Sequence, residues 1–481
     1  MLRLIIRQAN WGILGALFGF LIGFFVKIYL IDIVGLPAWG KYVTAQTFSS
    51  MSETFLSIGI PFVIIKFIPS FVSVNKEKAS RIANIFIRYA LIVGGVFLVL
   101  IYFSSDYINS FIYSDIDDLS WILFVMCIHV PISMLFGVIV SLYRSILKIK
   151  EIVLYGTFIT VSLRAILTVI IFQYTSDISH FIMIEVVTQI IVLSVLLYLF
   201  NKNEFSLFVK SDIKEVTSDT RIIAYGKKMF YNSVVTFISA QALSFIISIT
   251  LPIQDVGAYN ILLTLTGLTT FLLVNLNKVF APAISKLFYE NKISALNKLY
   301  KKTTFFINLL TIPLVIIIAI FADEILGLYT SEMLNYREYL FFMLAAGMLS
   351  LAAGSSGTFM VMAGLEKQNL YIQIIRSILL VTLSLILIPE FGLFSVVILY
   401  VVFMLFVNLF QVIYISKYIN ISPFSKELII LFFLTIFGMY FAISQQFEFE
   451  VYHYFIIPIS IYVLYFSIMY YPFKKIVKEI F

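Results

Sequence analysis

The chain has 481 residues, of which 61% are hydrophobic and only 12% are charged, with a net charge of +7 and a single cysteine. Its mean hydropathy is +1.03. Soluble proteins carry about twice that share of charged residues and roughly 45–50% apolar residues, so this composition excludes a soluble globular protein. A single cysteine excludes an internal disulfide and does not identify a redox compartment.

Apolar segments long enough to cross a bilayer, about 20 residues each, recur along the whole chain. We predict fourteen transmembrane spans, near residues 9–33, 41–69, 83–104, 119–145, 152–173, 181–200, 226–250, 257–285, 303–322, 338–363, 370–389, 393–416, 427–445 and 453–472.

The basic residues are distributed unevenly between the loops that join these spans. One alternate set of loops and the two termini hold 25 of the 33 Lys and Arg residues, and the opposite loops hold two. The excess of basic residues marks the cytoplasmic side of a membrane protein. We therefore predict that both termini are cytoplasmic. The positive net charge reflects this topology, and we expect no nucleic-acid partner.

Two short patterns repeat at nearly the same offset. A Gly-x-Tyr sequence occurs at Gly40–Tyr42 and again at Gly257–Tyr259, 217 residues later. A Leu-Tyr pair occurs at Leu154–Tyr155 and at Leu370–Tyr371, an offset of 216. One repeat contains six spans, so both halves cross the membrane in the same direction, as in transporters with parallel repeats.

The predicted fold is an all-α polytopic membrane protein with about fourteen transmembrane helices. Two pseudo-symmetric six-helix bundles account for twelve of them, and two C-terminal helices lie outside the repeat. The predicted domains are an N-terminal bundle (1–200), a cytoplasmic linker (201–225), a C-terminal bundle (226–417) and a last segment with two helices and a basic cytoplasmic tail (418–481).

Polar residues form a stripe on the second predicted span and on its repeat partner, the eighth. On the second span they follow the spacing i, i+3, i+4, i+7, which places them on one helix face. Polar groups that face lipid are costly, so such a stripe faces a bundle interior or water. The alternative is hydrogen bonding between packed helices. The predicted cavity-lining residues are Gln46, Glu53 and Asn277, with Ser49 and Ser50 on the same stripe as the first two.

Six basic residues lie within predicted spans: Lys27, Lys66, Arg88, Arg164, Lys278 and Arg376. Lys66 and Arg88 lie near cytoplasmic ends, from which long side chains reach the interface. Arg164 and Arg376 lie roughly 18 and 13 Å from the inner boundary at 1.5 Å per residue, on spans that are repeat partners. One guanidinium group can bind two phosphate oxygens at once. These arginines therefore predict an anion site.

An ion pair within the protein is the alternative role for each arginine, with Glu53 or Glu185 as its partner. We expect Glu53 to pair with a cation. If it does not, the carboxyl group could exchange a proton during transport.

The sequence does not predict an enzyme. The three histidines, His129, His180 and His453, show no metal-ligand spacing. No loop is long enough for an external catalytic domain or a nucleotide-driven one. We expect no catalytic residue, no metal and no cofactor, and an ion gradient, the membrane potential or the substrate gradient as energy source.

With these features the chain resembles the polysaccharide (O-antigen-type) flippases of the multidrug/oligosaccharidyl-lipid/polysaccharide (MOP) exporter superfamily. The resemblance covers the whole architecture and includes Gly40–Tyr42 and the stretch "SIGIPFVIIKFIP" at Ser57–Pro69. It implies a multi-pass protein of the bacterial cytoplasmic membrane that transfers an undecaprenyl-diphosphate-linked oligosaccharide to the outer leaflet through a cationic cavity, by alternating access. The substrate-binding role then falls on Arg164, Arg376, Lys278 and Lys27. Expected partners are this lipid-linked glycan, the bilayer, H⁺ or another coupling ion, and polysaccharide assembly proteins.

Two related functions stay open. A multidrug/cation antiporter of the related multidrug-extrusion family would share the fold but would depend on carboxylates within the membrane. A lipid II flippase would carry a lipid diphosphate too, so the cations do not distinguish it from an oligosaccharide flippase.

Overall fold

The structure of the protein is a computed structural model that describes residues 2–114, 116–433, 435, 456–465 and 467. Within these ranges, the side chains of residues 2–10, 13, 73, 74, 214, 239, 240, 278 and 279 lie outside the description.

The described residues are nearly all helical. The α-helices, in chain order, are α1 (Leu2–Leu56), α2 (Ile60–Val74), α3 (Lys76–Ile112), α4 (Leu119–Cys127), α5 (His129–Ser145), α6 (Ile149–Val153), α7 (Thr160–Ile171), α8 (Ile178–Asn203), α9 (Lys214–Thr217), α10 (Thr220–Thr250), α11 (Ile253–Tyr289), α12 (Ile293–Ile320), α13 (Ala322–Gly327), α14 (Arg337–Ala352), α15 (Ser356–Met362) and α16 (Glu366–Ile419). A π-helical turn at Leu154–Ile159 joins α6 to α7, and a 3₁₀ turn at Ser331–Tyr336 precedes α14.

Long apolar helices dominate this order, as the composition predicts. Within the described ranges, nine helices are long and apolar enough to cross a membrane, and α10 is a tenth if its two parts, which meet at 54°, count as one. Two of the nine, α1 and α16, each contain two predicted spans. The spans are separated by non-helical backbone at Gly35 in α1 and at Gly392 in α16. The predicted spans at 427–445 and 453–472 lie only partly within the described residues, so the total of fourteen stays a prediction.

The second predicted span is divided by a break that the sequence analysis did not predict. Ile58 and Gly59 both adopt positive φ, 45° and 69°, between α1 and α2. A Cβ atom on Gly59 would lie 2.9 Å from the backbone nitrogen of Phe230 in α10. Glycine is thus needed here both for its backbone conformation and for the close approach of another helix.

The chain forms two compact units, Met1–Gly257 and Ala258–Phe481. The predicted grouping into six-helix bundles around a linker stays a proposal. In the first unit, a core of aliphatic and aromatic side chains joins α2, α3, α5 and α8, with Ile64, Leu142 and Phe200 fully buried. In the second unit, Tyr300 of α12 stacks on Phe359 of α15 with ring centroids 4.0 Å apart, and its hydroxyl donates to the Ala353 carbonyl at 2.8 Å.

The repeated glycines Gly40 and Gly257 lie against each other within the first unit. A Cβ atom on Gly40 would lie 1.9 Å from the carbonyl oxygen of Ile253, and one on Gly257 would lie 2.7 Å from the carbonyl oxygen of Leu36 and 3.1 Å from the Gly40 nitrogen. The backbones therefore cross without room for a side chain. This approach is a physical reason for a glycine in both Gly-x-Tyr sequences.

Between α8 and α10 the chain is held by polar contacts. Asp219 begins α10 and accepts a hydrogen bond from the Arg221 backbone nitrogen at 3.1 Å. The Arg221 side chain also donates to Asp219, at 3.0–3.1 Å. These hydrogen bonds lower the pKa of the Asp219 carboxyl group below its ordinary value, because they stabilise the ionised form.

Candidate functional site: a polar cavity in the first unit

A cavity of about 330 Å³ lies inside the first unit, surrounded by helices α1, α4, α5, α7 and α8 and by the π-helical turn. Most of its lining side chains are polar or charged, although its walls are long apolar helices. The lining residues are Gln46, Ser49, Ser50, Glu53, Met126, His129, Phe136, Gly156, Thr160, Arg164, Glu185 and Gln189. Polar groups on membrane helices face such interiors because lipid cannot hydrogen-bond to them.

The α1 wall is formed by the stripe with spacing i, i+3, i+4, i+7. Gln46, Ser49, Ser50 and Glu53 all line the cavity. The intervening hydroxyl groups are used differently, since they hydrogen-bond to carbonyl groups one turn earlier in their own helix, as Thr47 does to Val43 at 2.8 Å. The cavity therefore receives the side chains with the largest polar groups of this segment.

On the facing wall, Arg164 and Glu185 form an ion pair. The Arg164 Nη1 atom lies 2.7 Å from Glu185 Oε1. The other carboxylate oxygen, Oε2, accepts a hydrogen bond from the Tyr42 hydroxyl at 2.9 Å, and Gln46 Nε2 donates to the same hydroxyl at 3.1 Å. The carboxylate thus joins the tyrosine of the first Gly-x-Tyr sequence to the arginine that the sequence predicts near mid-membrane.

The guanidinium of Arg164 keeps hydrogen-bonding capacity in this arrangement. Its Nε atom is buried and has no hydrogen-bond partner among the described residues. Because a buried N–H group without a partner costs about 1–3 kcal/mol, a ligand or water molecule that accepts from it is favoured. A phosphate oxygen is a suitable acceptor.

Lys27 belongs to the same network through two aromatic rings. Its ammonium group lies over the Trp39 ring, 5.0 Å from the centroid. The Trp39 ring stacks on that of Tyr42 at 4.7 Å, with an angle of 22° between the planes. A cation over an indole face is stabilised by about 0.5–2 kcal/mol, depending on its exposure. Two of the predicted substrate-binding cations, Lys27 and Arg164, are therefore linked through Tyr42.

A polar group on α5 and α8, which the sequence does not predict, also lines this cavity. Ser133 Oγ lies 2.8 Å from His129 Nδ1, and Gln189 Nε2 donates to the same hydroxyl at 3.3 Å. His129 lacks metal-ligand spacing and was therefore set aside, and Gln189 is a single amide in an apolar span. The signal for these residues in the sequence is a single polar side chain in the middle of each apolar span. The stripe on α1 is a clearer signal, because several polar residues lie on one helix face.

The π-helical turn at Leu154–Ile159 shapes the wall that carries Arg164. Gly156 and Thr160 both line the cavity at this turn, and Thr160 Oγ1 donates to the Gly156 carbonyl at 3.1 Å. Single π-helical turns within α-helices occur frequently at functional sites. Here the turn places Thr160 and Arg164, four residues apart, on the cavity side.

Glu53 lies at the end of the cavity, where a second, much smaller cavity of about 20 Å³ begins. Among the described residues, its carboxylate has no ion-pair partner, and Arg164 pairs with Glu185 instead. The described residues thus do not show the cation pairing that we expected for Glu53. They show instead the ion pair between Arg164 and Glu185, which was the alternative role predicted for Arg164.

The other predicted site residues lie in the second unit. Arg376 of α16 is partly buried and lies near Tyr259 and Tyr400. On α11, the Oδ1 atom of Asn277 is buried and has no hydrogen-bond partner among the described residues. Lys278 follows in the same helix, but its side chain lies outside the described residues. The substrate-binding roles of these residues stay predictions.

The first-unit cavity can hold an anion and a polar group beside it. It offers one guanidinium, two carboxylates, two amides and several hydroxyl groups, all within a wall of membrane helices. In the part of the chain that the structure describes, no group of three or more His, Cys, Asp or Glu residues is placed to bind a metal ion. Hydrogen bonding and charge are therefore the means by which these cavity residues would recognise a ligand.

Such a fold and cavity define a class, the multi-pass α-helical membrane proteins. A family model described as "Polysaccharide biosynthesis protein" matches residues 34–336, more than half of the chain. The chain therefore belongs to this polysaccharide biosynthesis protein family. No curated protein sequence matches the chain significantly.

Several solved structures share the fold. The lipid II flippase MurJ in an inward closed conformation matches with a TM-score of 0.71 and 13% identity, over 96% of this chain and 98% of the other. An inward-facing multidrug resistance MATE family transporter of the MOP superfamily matches with a TM-score of 0.64 and 13% identity, over 82% and 98%. A MOP superfamily transporter from Pyrococcus furiosus matches with a TM-score of 0.60 and 13% identity, over 87% and 95%.

The TM-scores establish a common fold, and identities of 13% establish no common substrate. The expected all-α polytopic fold and the resemblance to the MOP superfamily are both confirmed. The similar solved structures are transporters and a flippase.

Proposed function

We propose that the protein transfers an oligosaccharide linked to undecaprenyl diphosphate from the cytoplasmic to the outer leaflet of a bacterial cytoplasmic membrane. Family membership and the fold shared with a lipid flippase support the class of activity. The observation that carries the substrate proposal is the Arg164 guanidinium on the wall of a polar cavity, with a buried Nε atom that lacks a partner among the described residues. A diphosphate oxygen would supply the hydrogen-bond acceptor that the Nε atom of Arg164 lacks.

The proposed mechanism exchanges one anion for another. In the structure, Glu185 holds Arg164 at 2.7 Å. An arriving diphosphate would bind the guanidinium through two oxygens and displace the carboxylate, while the amides of Gln46 and Gln189 would bind glycan hydroxyl groups. Arg376, Lys278 and Lys27 would bind phosphate at other stages of alternating access. The cavity residues only bind and release, so we propose no catalytic residue and no cofactor.

The test is glycan export by cells that carry Arg164→Gln or Arg376→Gln, with the amount of each variant in the membrane measured in parallel. Each change should abolish export, because glutamine cannot balance the diphosphate charge. Lysine at either position should restore part of the export if charge matters more than paired hydrogen bonds. Arg144→Gln, which removes an exposed arginine at the end of α5, is the matched control and should export normally. Normal export by both site variants would contradict the proposal.

A second candidate function, cation or proton antiport, has one observation in its favour. Glu53 lines the cavity without an ion-pair partner among the described residues, and a membrane carboxylate of this kind can bind and release a cation. Glu53→Gln should then keep substrate binding and lose dependence on an imposed pH gradient in vesicles. Equal loss of transport with and without the gradient would contradict coupling through Glu53. Transport of a cationic substrate that carries no glycan, in the same assay, would favour the antiporter over the flippase.

Purified lipid II and an undecaprenyl-diphosphate oligosaccharide, compared in the same vesicles, distinguish the two flippase functions. Both substrates present a diphosphate to Arg164, so their difference lies in the sugar. The proposal expects faster transfer of the polysaccharide repeat unit. We further propose that polysaccharide assembly proteins act before and after this step.

A further inference from the structure

A large groove lies on the first unit, away from the polar cavity. It has a volume of about 940 Å³ and lies between α2 and α3 on one side and residues 210–227, which include α9 and the start of α10, on the other. Residues 210–217 belong to the loop with the highest content of basic residues, which the charge distribution places on the cytoplasmic side.

The groove is lined mainly by apolar side chains, many of them buried in the core of the first unit, and two of them are more than half exposed. Ile92 of α3 is 62% exposed and Ile213 of the loop is 65% exposed, and both line the groove. Ile92 lies on a membrane span and can contact lipid. Ile213 lies outside the predicted spans, where burial of an exposed isoleucine is favourable. An apolar chain in the groove would cover both side chains.

Three basic side chains line the same groove: Arg88, Lys210 and Lys227. The one acidic lining residue is Asp212. None of the three basic side chains has an ion-pair partner among the described residues. Arg88 Nη1 donates to the Ser211 carbonyl at 3.4 Å, which keeps the guanidinium at the rim. The groove therefore combines an apolar wall with an excess of positive charge.

The loop side of the groove is fixed to α3 without any ligand. Asn84 Nδ2 donates to the Leu207 carbonyl at 2.8 Å, and the Ser211 hydroxyl donates to Asn84 Oδ1 at 2.8 Å. Arg81 Nε lies 2.8 Å from the Glu215 carboxylate. Because these contacts join both walls, the groove is formed in advance and a ligand need not order the loop.

We propose that this groove binds a bilayer phospholipid with an anionic headgroup. One acyl chain lies along Ile92 and Ile213, and the phosphate lies among Arg88, Lys210 and Lys227. Basic sites at the cytoplasmic ends of membrane helices recognise anionic lipid headgroups in this way. The bound lipid joins α3 to the loop between α8 and α10 and stabilises the first unit.

The transported lipid is a different occupant, and the path between the two cavities argues against it. Ile60 and Tyr89 line both the groove and the small cavity of about 20 Å³ that ends at Glu53. The Tyr89 hydroxyl also donates to the Leu56 carbonyl at 2.9 Å, which closes this route. A space of this size holds no diphosphate, so the groove serves a resident lipid. The proposal does not depend on which substrate the polar cavity carries.

The experiment is titration of the purified full chain in detergent with phosphatidylglycerol or phosphatidylcholine, with bound lipid counted by native mass spectrometry. Phosphatidylglycerol should bind more tightly than phosphatidylcholine. Replacing Arg88, Lys210 and Lys227 together by Gln should weaken phosphatidylglycerol binding roughly a hundredfold, since each basic residue near a headgroup contributes about 1 kcal/mol. Phosphatidylcholine binding should change little.

A matched variant removes the same charge elsewhere. Lys76, Lys228 and Lys367 are exposed, line none of the cavities described above, and are replaced together by Gln. This variant should bind phosphatidylglycerol like the unchanged protein. Equal weakening in both triple variants, or no preference for phosphatidylglycerol, would overturn the proposal. Displacement of phosphatidylglycerol by geranylgeranyl diphosphate at equal concentration would also overturn it, since the groove would then be a substrate site.

Discussion

The two units place a tyrosine and an arginine from corresponding parts of the repeat in the same neighbourhood, but with different groups between them. In the first unit, Glu185 bonds to both Tyr42 and Arg164. In the second unit, Tyr259 and Arg376 are accompanied by Tyr400, which follows Glu185 by 215 residues, close to the repeat offset. The position that holds a carboxylate in one unit therefore holds a phenol in the other.

This difference changes how each arginine meets a phosphate. A phosphate that reaches Arg164 competes with a full negative charge at 2.7 Å. At Arg376 it meets phenol groups, which are neutral at ordinary pH. We therefore expect the first unit to bind anions reversibly through exchange, and the second to depend more on hydrogen bonds. A repeat can thus keep its geometry while its two halves differ in charge.

The largest expected effect in this comparison is that of Glu185→Gln. It leaves the Arg164 charge without its carboxylate, and loss of one partner from a buried pair costs about 3–5 kcal/mol. Because the Arg164 side chain is 29% exposed, we expect the lower end of that range. The free energy of unfolding in mixed micelles measures it. Tyr400→Phe, the matched change in the second unit, should cost about 1 kcal/mol; equal losses would remove the distinction between the units.

An intermediate effect is expected where the repeated glycines meet. Gly40→Ala places a Cβ atom 1.9 Å from a carbonyl oxygen, and Gly257→Ala places one at 2.7 Å. Overpacking costs about 1–3 kcal/mol, so both variants should lower the thermal midpoint, Gly40→Ala by more. Gly267→Ala is the control, since no atom lies within 4 Å of its Cβ position. A lower midpoint for the control than for Gly40→Ala would contradict the close approach.

The smallest effect distinguishes the two tyrosines. Tyr42→Phe removes a hydroxyl that donates to Glu185 and accepts from Gln46, so the free energy of unfolding should fall by about 1–2 kcal/mol. For Tyr259 the structure shows no hydroxyl hydrogen bond among the described residues, and Tyr259→Phe should change stability by less. A larger loss of stability for Tyr259→Phe than for Tyr42→Phe would contradict this expectation, because the Tyr259 hydroxyl would then contribute more than the Tyr42 hydroxyl.

Much of the fold follows from the sequence because its signals are local. Long apolar runs predict the helices, and the polar stripe on α1 predicts which face lines the cavity. The break at Ile58 and Gly59 was missed, because the surrounding sequence is as apolar as a continuous span. Gly59 and Pro61 mark the break in the sequence, since the proline lies in the first turn of α2. The close approach of Phe230 to Gly59 is what a pattern within one helix does not contain.

The site was only partly predictable for the same reason. Arg164 and Glu185 could be selected as charges within spans, and their pairing was one of two alternatives. Tyr42 was noted only as part of a repeat, since its bond to Glu185 joins residues 143 positions apart. Lys27 has Asp32 nearby in sequence, but the structure places its ammonium group over Trp39. Helix packing decided each of these contacts, and packing depends on all the helices together.

The π-helical turn at Leu154–Ile159 has a consequence for how this cavity could change during evolution. Its hydrogen bonds span one residue more than those of an α-helix, so the turn acts as an insertion of one residue. Each residue of an α-helix rotates the chain by about 100°. Deleting one residue from this turn would therefore restore a regular α-helix and keep Arg164 on the cavity side, whereas deleting one residue between the turn and Arg164 would rotate the arginine away from Glu185. Segment length, as well as residue identity, specifies the charge on this wall, and a related protein could move its cation around the cavity by gaining or losing a single residue in the regular helix that carries it.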